Sequence, residues 1–155
     1  MKKIIFIFSI LLAFSTQHVH AQQRGFGLGV ILGSPTGISA KSWLSKHTAV
    51  DMAAAWAFRS TRSQLKSEIQ FHANYLYHNF DLFPVRKGKL PLYYGIGGRI
   101  NLGNDTRLSA RIPVGLNYLF QNASLDVFWE IVPMLDLIPA TEFNLDAAVG
   151  IRFWF

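Results

Sequence analysis

The sequence predicts an all-β protein: an eight-stranded antiparallel up-and-down transmembrane β-barrel preceded by a cleaved signal peptide. Three observations support this fold class. The segment 143–155 alternates without interruption between an apolar side and a side that carries Asp146 and Arg152, as a barrel wall does when lipid lies outside and polar groups lie inside. Similar alternating runs recur upstream with turn signals between them. The amino end has the composition of a secretory signal.

The amino-terminal residues form the three parts of a secretory signal. Lys2 and Lys3 supply the positive region, 4–14 is the apolar region, and Val19-His20-Ala21 fits a small-residue cleavage site. The apolar run is about half the ~20 residues that a membrane-spanning helix needs, which disfavours an inner-membrane anchor. We therefore expect a signal peptide over 1–21 and one barrel domain over 22–155.

Composition excludes several classes of protein. The sequence contains no Cys, so neither a disulfide framework nor a thiolate metal site is available. Lys and Arg number 15 against 9 Asp and Glu, a net charge of +6 that falls to +4 when Lys2 and Lys3 are removed. The basic residues are not interleaved with aromatic residues on one face, so no nucleic-acid partner is expected. The length suits one domain.

Four strands are predicted in the first half of the barrel domain. Ser34-Pro35-Thr36 ends the first, and a tight turn at 45–47 ends the second. In the third, Asp51 lies on the side opposite the apolar residues, and the fourth alternates in the same way. The predicted bounds are 25–33, 37–44, 48–58 and 64–79.

Four more strands complete the predicted barrel. The longer connection 80–91 before them contains Pro84 and a basic cluster of Arg86, Lys87 and Lys89. Pro113 stands inside the sixth strand and predicts a bulge there, because proline cannot donate to the ladder. Pro133 is expected to mark the end of the seventh strand, and a loop over 135–142 to follow. The predicted bounds are 92–102, 108–120, 124–134 and 143–155.

An even strand number places both termini on the periplasmic side. The connections 34–36, 59–63, 103–107 and 135–142 then face the cell exterior. Arg59, Arg62 and Arg107 in these connections are candidate contacts for the phosphates of lipopolysaccharide, since guanidinium groups bind phosphate in bidentate fashion.

The inward faces of the predicted strands carry five basic and five acidic residues. An eight-stranded barrel leaves an interior just wide enough for side chains, and buried charges require partners. We therefore predict a plugged lumen in which Arg99, Arg111 and Arg152 pair with Glu68, Glu130 and Asp146. A soluble lipocalin-like barrel would show the inverse alternation. The predicted lumen set is Lys41, Asp51, Lys66, Glu68, Arg99, Arg111, Asp126, Glu130, Asp146 and Arg152.

No catalytic, metal or cofactor site is predicted. Lipid A enzymes of this architecture use His, Ser and a carboxylate, but His72 is expected to face inward and the sequence has no His-x-Ser pair. His72 and His78 on one strand stand ~20 Å apart, too far to share a metal with Glu68. Gly95-x-Gly97-Gly98 lies in a strand and opens no helix, so it is not a dinucleotide fingerprint.

The chain resembles known barrel families in three segments. Its length, strand number and terminal Phe155 are similar to those of the small eight-stranded outer-membrane barrels of the OmpA and OmpX type. The segments 79–83 and 90–99 resemble uncharacterised bacterial barrel proteins and, distantly, a spirochaete barrel family of unknown function, as does the opening 29–37. The resemblance implies an outer-membrane location and makes Phe153 and Phe155 an assembly signal for the barrel-assembly machinery. No peptidoglycan-binding domain follows the barrel, so tethering to the cell wall is not expected.

The function expected from these observations is that of a non-enzymatic, monomeric integral outer-membrane barrel with a structural or surface-interaction role. Its partners would be outer-membrane lipid and lipopolysaccharide, with no cofactor. The alternative is a lipid A-modifying or lipid-handling outer-membrane enzyme. A small pore or a periplasmic ligand carrier is the third hypothesis.

Overall fold

The computed structural model describes residues 25–61, 64–103 and 106–155, and leaves the predicted signal peptide outside the described residues. Within these ranges the structure consists of β-strands and their connections, and it contains no helix long and apolar enough to cross a membrane. The strands are β1 (Phe26–Gly33), β2 (Gly37–Trp43), β3 (Thr48–Thr61), β4 (Gln64–Asn79), β5 (Leu92–Leu102), β6 (Arg107–Arg111), β7 (Val114–Leu119), β8 (Leu125–Ile138) and β9 (Glu142–Trp154).

The strands close into a ring. Each pairs antiparallel with its neighbours in the order β4, β3, β2, β1, β9, β8, then β6 and β7 together, then β5, and β5 returns to β4. β6 and β7 occupy one position in the wall, so the ring has eight positions. Full closure leaves no unpaired sheet edge, and the predicted eight-stranded up-and-down barrel is confirmed.

The bulge predicted at Pro113 is wrong. From Arg111 to Val114 the chain advances three residues, and both neighbouring strands advance three residues opposite it, so the register is continuous. The carbonyl oxygen of Pro113 still accepts a hydrogen bond from the backbone N–H of Gly95 at 3.0 Å. Proline has no backbone N–H, so only the hydrogen bond that this N–H would donate is lost. The loss divides the strand into β6 and β7 without changing its register.

The strand end predicted at Pro133 is also wrong. Pro133 pairs with Leu145, and its carbonyl accepts the backbone N–H of Ile112 at 3.0 Å, so β8 continues to Ile138. The predicted loop 135–142 shortens to 139–141. In the β6–β8 pairing the register shifts between Leu108 and Ser109, opposite the last residues of β8.

The two faces of the wall differ sharply in polarity. Neighbouring tyrosines illustrate the alternation: Tyr93 points inward and is 1% exposed, whereas Tyr94 points outward and is 48% exposed. Phe143, Leu145, Val149, Ile151 and Phe153 of β9 point outward, and so do Trp56 and Trp129. Among the described side chains, polar residues therefore face the interior of the barrel and large apolar residues cover its outer wall.

Aromatic side chains ring one end of the outer wall. We call this the terminal end, because β1 begins and β9 finishes there. Ring pairs at this end include Tyr77 with Tyr94, Tyr118 with Phe120, and Phe153 with Phe155, at centroid distances of 5.7, 4.8 and 5.1 Å. Aromatic rings at one end of the outer wall are typical of the interfacial girdle of membrane barrels.

Inside, an apolar plug closes the terminal end. Trp43, Ala49, Leu119 and Trp154 form a buried cluster, and Phe80 packs against it. Phe80 belongs to the connection between β4 and β5, residues 80–91, so this connection contributes to the plug. Apolar side chains therefore close the polar interior at the terminal end.

Candidate functional site

Charged side chains line the interior of the barrel in three groups, marked along β8 by Asp126, Glu130 and Asp136. The group nearest the terminal end is built on Asp126. Its carboxylate accepts hydrogen bonds from Arg152 Nε at 3.1 Å and from Trp154 Nε1 at 2.9 Å. The Arg152 guanidinium also lies 4.0 Å from the centroid of the Phe128 ring. This ion pair is fully buried and its hydrogen bonds compensate the loss of water.

Lys41 adjoins this group, and its nearest partners are neutral side chains. Its ammonium donates to His78 Nε2 at 2.7 Å and to Asn117 Oδ1 at 3.4 Å. It also lies about 5 Å from the ring centroids of Trp43 and Tyr93. Among the described side chains, Lys41 has no carboxylate within salt-bridge distance. Aromatic faces and neutral acceptors stabilise this cation.

The middle group joins Tyr93, Glu130 and Arg111. The Tyr93 hydroxyl donates to Glu130 Oε2 at 2.8 Å, and Arg111 Nη2 lies 3.7 Å from Glu130 Oε1. Asn74 Nδ2 donates to Asp51 Oδ1 at 2.8 Å beside them. Within the described residues the three guanidinium nitrogens of Arg111 have no hydrogen-bond partner. Arg111 thus balances Glu130 by charge rather than by a direct hydrogen bond.

Substituting Tyr93 with Phe should lower the free energy of unfolding by about 1–3 kcal/mol, because Glu130 then loses, in a buried site, its one close donor among the described side chains. Urea titration of the refolded protein in detergent would measure the change. Tyr94→Phe is the matched control: its hydroxyl is on the outer face, and the expected change is within about 0.5 kcal/mol. Equal effects of the two substitutions would contradict the assigned role of Tyr93.

The third group lies toward the opposite end and centres on Arg99. Arg99 Nη2 contacts Asp136 Oδ1 at 2.9 Å, and Arg99 Nη1 contacts Asp146 Oδ2 at 3.3 Å. Ser109 Oγ donates to Asp136, whose other oxygen accepts from Asn144 Nδ2 at 3.0 Å. Two carboxylates therefore share one guanidinium, with neutral donors completing the shell of Asp136.

Asp136 is a lumen residue that the sequence analysis missed. The predicted end of the seventh strand at 134 placed it in a loop, although it follows the same inward alternation as Asp126 and Glu130. Extending that alternation through Pro133 would have found it. Lys66 and Glu68, which were predicted for the lumen, are not among the described side chains, so their predicted roles remain predictions.

The candidate lipopolysaccharide contacts are placed only in part. Arg59 lies near the end of β3 and its side chain is not described, while Arg62 lies outside the described residues. Arg107 begins β6 and, with Asp136 and Glu142, lines a polar pocket of about 280 Å³ at the opposite end. Arg107 is therefore positioned at the mouth of the lumen rather than on the apolar outer wall.

The described interior contains no group of three His, Asp or Glu side chains placed to hold a metal ion. His72 faces inward beside Arg99, its register partner on β5, and its Nδ1 has no hydrogen-bond partner among the described atoms. Ser109 is engaged with Asp136, which Arg99 already neutralises. This arrangement of side chains directly supports charge compensation in the barrel interior.

The outer wall carries one further feature, an apolar groove across β2 to β6. Small residues form its floor, and larger apolar residues such as Met52, Phe71 and Leu108 form its rim. Its volume is about 590 Å³. The floor residues Ala40, Ala54, Ala73 and Gly98 all lie on the outward face of the sheet.

A closed eight-position antiparallel barrel with an apolar outer wall, an aromatic girdle and a compensated charged interior has the architecture of the small outer-membrane barrels. No protein-family model matches the sequence, and no curated protein sequence matches it. The structure is similar to the crystal structure of the N-terminal β-barrel domain of Pseudomonas aeruginosa OprF, with a TM-score of 0.53 and 14% sequence identity over 88% of this chain and 100% of that one. This similarity concerns the fold, and it confirms the predicted resemblance at that level.

Proposed function

We propose that this chain is a non-enzymatic integral protein of the bacterial outer membrane, a barrel with a plugged interior that serves envelope structure or surface interaction. The observation that carries the proposal is the inverted distribution of polarity. Arg111, Arg152 and Asp126 are buried inside, while Ile96, Phe143 and Leu145 are more than 60% exposed outside. In water that outer wall would be a large apolar surface, but in a bilayer it is the surface that contacts lipid.

The proposal extends to the partners of the barrel. Outer-membrane lipid would cover the wall, and the side chains of Phe153 and Phe155 on the outer face would be available to the assembly machinery. Arg107 at the mouth of the lumen is the described candidate for a lipopolysaccharide phosphate contact, with Arg59 and Arg62 proposed on sequence alone. The filled interior supports a structural role over that of a small pore.

Refolding the chain without residues 1–21 in detergent tests the proposal. Unheated and boiled samples are compared on SDS gels, and the heat-dependent mobility shift of a closed barrel is expected because its hydrogen-bonded ring resists SDS. A monomer that stays soluble without detergent and shows no shift would overturn the proposal and favour a periplasmic ligand carrier.

One observation favours the alternative of a lipid-handling protein, namely the apolar groove across β2 to β6. A lipid acyl chain could lie there, in contact with Met52, Phe71 and Leu108. Incubating the folded barrel with purified lipid A and measuring the lipid mass tests the enzymatic form of this alternative: a changed mass supports a lipid A-modifying enzyme, and an unchanged mass contradicts it.

A further inference from the structure

The connection between β4 and β5, residues 80–91, is the longest described connection in the barrel. It lies at the terminal end, where membrane barrels usually have short turns. It carries the basic cluster of Arg86, Lys87 and Lys89. We propose that this connection and the neighbouring β2–β3 turn form a binding surface for the headgroups of anionic phospholipids. The inference rests on the proposed function, because it requires the barrel to be inserted in a bilayer.

The surface combines apolar and basic side chains in one short stretch. Leu82, Phe83 and Val85 are 50%, 41% and 38% exposed, and Arg86, Lys87 and Lys89 follow directly and are exposed as well. The single acidic residue of the connection is Asp81. Proteins attach to anionic membranes through two kinds of side chain. Apolar side chains enter the interfacial region, and neighbouring cations contact the phosphates.

The β2–β3 turn extends this surface. The ring of His47 stacks on Tyr77 at 5.9 Å and meets the ring of Phe80 edge-on at 5.8 Å, so the turn lies against the start of the connection. Leu44, which is exposed, and Lys46 precede His47 in the same turn. The turn therefore adds one apolar and one basic side chain to the same end of the barrel.

The connection is held in place rather than free. Lys89 and Leu119 exchange two backbone hydrogen bonds at 3.0 and 2.8 Å, and the Tyr118 hydroxyl donates to the carbonyl of Lys87 at 3.0 Å. Gly88 between them has a φ of 72°, a conformation that other residues rarely adopt. Because the backbone is already ordered, lipid binding would cost little conformational entropy.

The position of this surface along the barrel axis agrees with the proposed ligand. Tyr118, which holds the connection, pairs with Phe120 in the aromatic girdle, so the basic side chains lie next to the interfacial layer. The Lys89 ammonium lies 5.5 Å from the centroid of the Phe80 ring, beside the plug. The charge of the surface complements phosphate, and its position favours a headgroup of the adjacent leaflet over a protein in the aqueous phase.

The test measures the lipid preference of the folded barrel in nanodiscs of phosphatidylcholine. A fluorophore is attached at Gln121→Cys, an exposed position in the β7–β8 turn at the same end, in a chain that has no other Cys. Quenching by spin-labelled phosphatidylglycerol is compared with quenching by spin-labelled phosphatidylcholine. We expect association at least about fivefold stronger for the anionic lipid, the factor that one basic side chain near an anionic surface typically contributes.

The triple variant Arg86→Gln, Lys87→Gln and Lys89→Gln removes every basic side chain of the connection and should lower this ratio to near one. The wild-type ratio should also fall as salt rises, because exposed charges are screened. This salt titration tests the proposal even when the triple variant does not fold.

A wild-type ratio near one, or a preference that survives both the triple substitution and high salt, would overturn the proposal. A ratio near one would make an acidic protein the candidate partner. A barrel that shows no heat-dependent mobility shift would instead contradict the proposed function, so the two failures are distinguishable.

Discussion

Replacing Arg152 with Met is expected to lower the free energy of unfolding by about 3–5 kcal/mol, the usual cost of leaving a buried charge without its partner. Arg152 Nε lies 3.1 Å from Asp126 Oδ1, and both side chains are almost completely buried, at 1% and 0% exposure. Met retains much of the apolar contact with Phe128 but supplies no positive charge. The change would be measured by urea unfolding in detergent, with tryptophan fluorescence and gel mobility as readouts.

A double variant distinguishes an unpaired charge from lost packing. Adding Asp126→Leu to Arg152→Met removes both charges, and we expect it to recover most of the lost stability, since apolar replacements of buried ion pairs are often close to neutral. Trp154 Nε1 then loses its acceptor, which limits the recovery by about 1 kcal/mol. Lys46→Met, at an exposed turn position, serves as the control for removing a cation. A double variant as unstable as Arg152→Met would contradict the explanation.

The second large effect is expected from a single methyl group at the β1–β9 pairing. In Gly29→Ala the new Cβ would overlap the carbonyl oxygen of Ile151 and stand 2.6 Å from the Cα of Arg152. These are backbone atoms of the neighbouring strand, which cannot rotate away as a side chain would. We expect a loss of about 1–3 kcal/mol and a smaller fraction of protein that shows the heat-dependent mobility shift.

Gly98→Ala is the matched control for this substitution. A Cβ at Gly98 meets only the carbonyl oxygen of Ser109, at 3.8 Å, which is ordinary contact. Both substitutions reduce backbone freedom in the unfolded chain equally, so this contribution cancels in the comparison. Equal folded fractions of the two variants would show that the backbones of β1 and β9 do not approach as closely as described.

Much of the fold could be predicted because a two-residue period is a local property of the chain. In β9 the residue type at each position indicates which face of the sheet the side chain occupies. Asp146 and Arg152 alternate with large apolar residues, and no knowledge of the partner strands is needed. The two prolines were misjudged for the opposite reason. The effect of Pro113 or Pro133 depends on whether its carbonyl still finds a donor across the sheet, and Gly95 and Ile112 supply those donors only once the neighbouring strands have paired.

The interior could be predicted as a set of residues but not as a network. Composition and alternation identify Arg99, Asp146 and Glu130 as buried charges that require compensation. Which carboxylate meets which guanidinium depends on the stagger between strands, and this stagger places Asp136 beside Arg99. Lys41 differs further: Trp43 is two residues along the same strand, but His78 and Tyr93 come from β4 and β5, and the sequence around Lys41 does not indicate those contacts.

The four tryptophans of the chain divide evenly between the two faces of the wall: Trp43 and Trp154 belong to the plug, whereas Trp56 and Trp129 face outward. A quencher dissolved in the acyl chains can reach only the second pair, whereas the first pair is buried and shielded from a quencher in the aqueous phase. The emission of the unlabelled protein therefore contains two separable signals. One reports immersion in the bilayer and the other reports the integrity of the sealed end, so an insertion experiment needs no added chromophore.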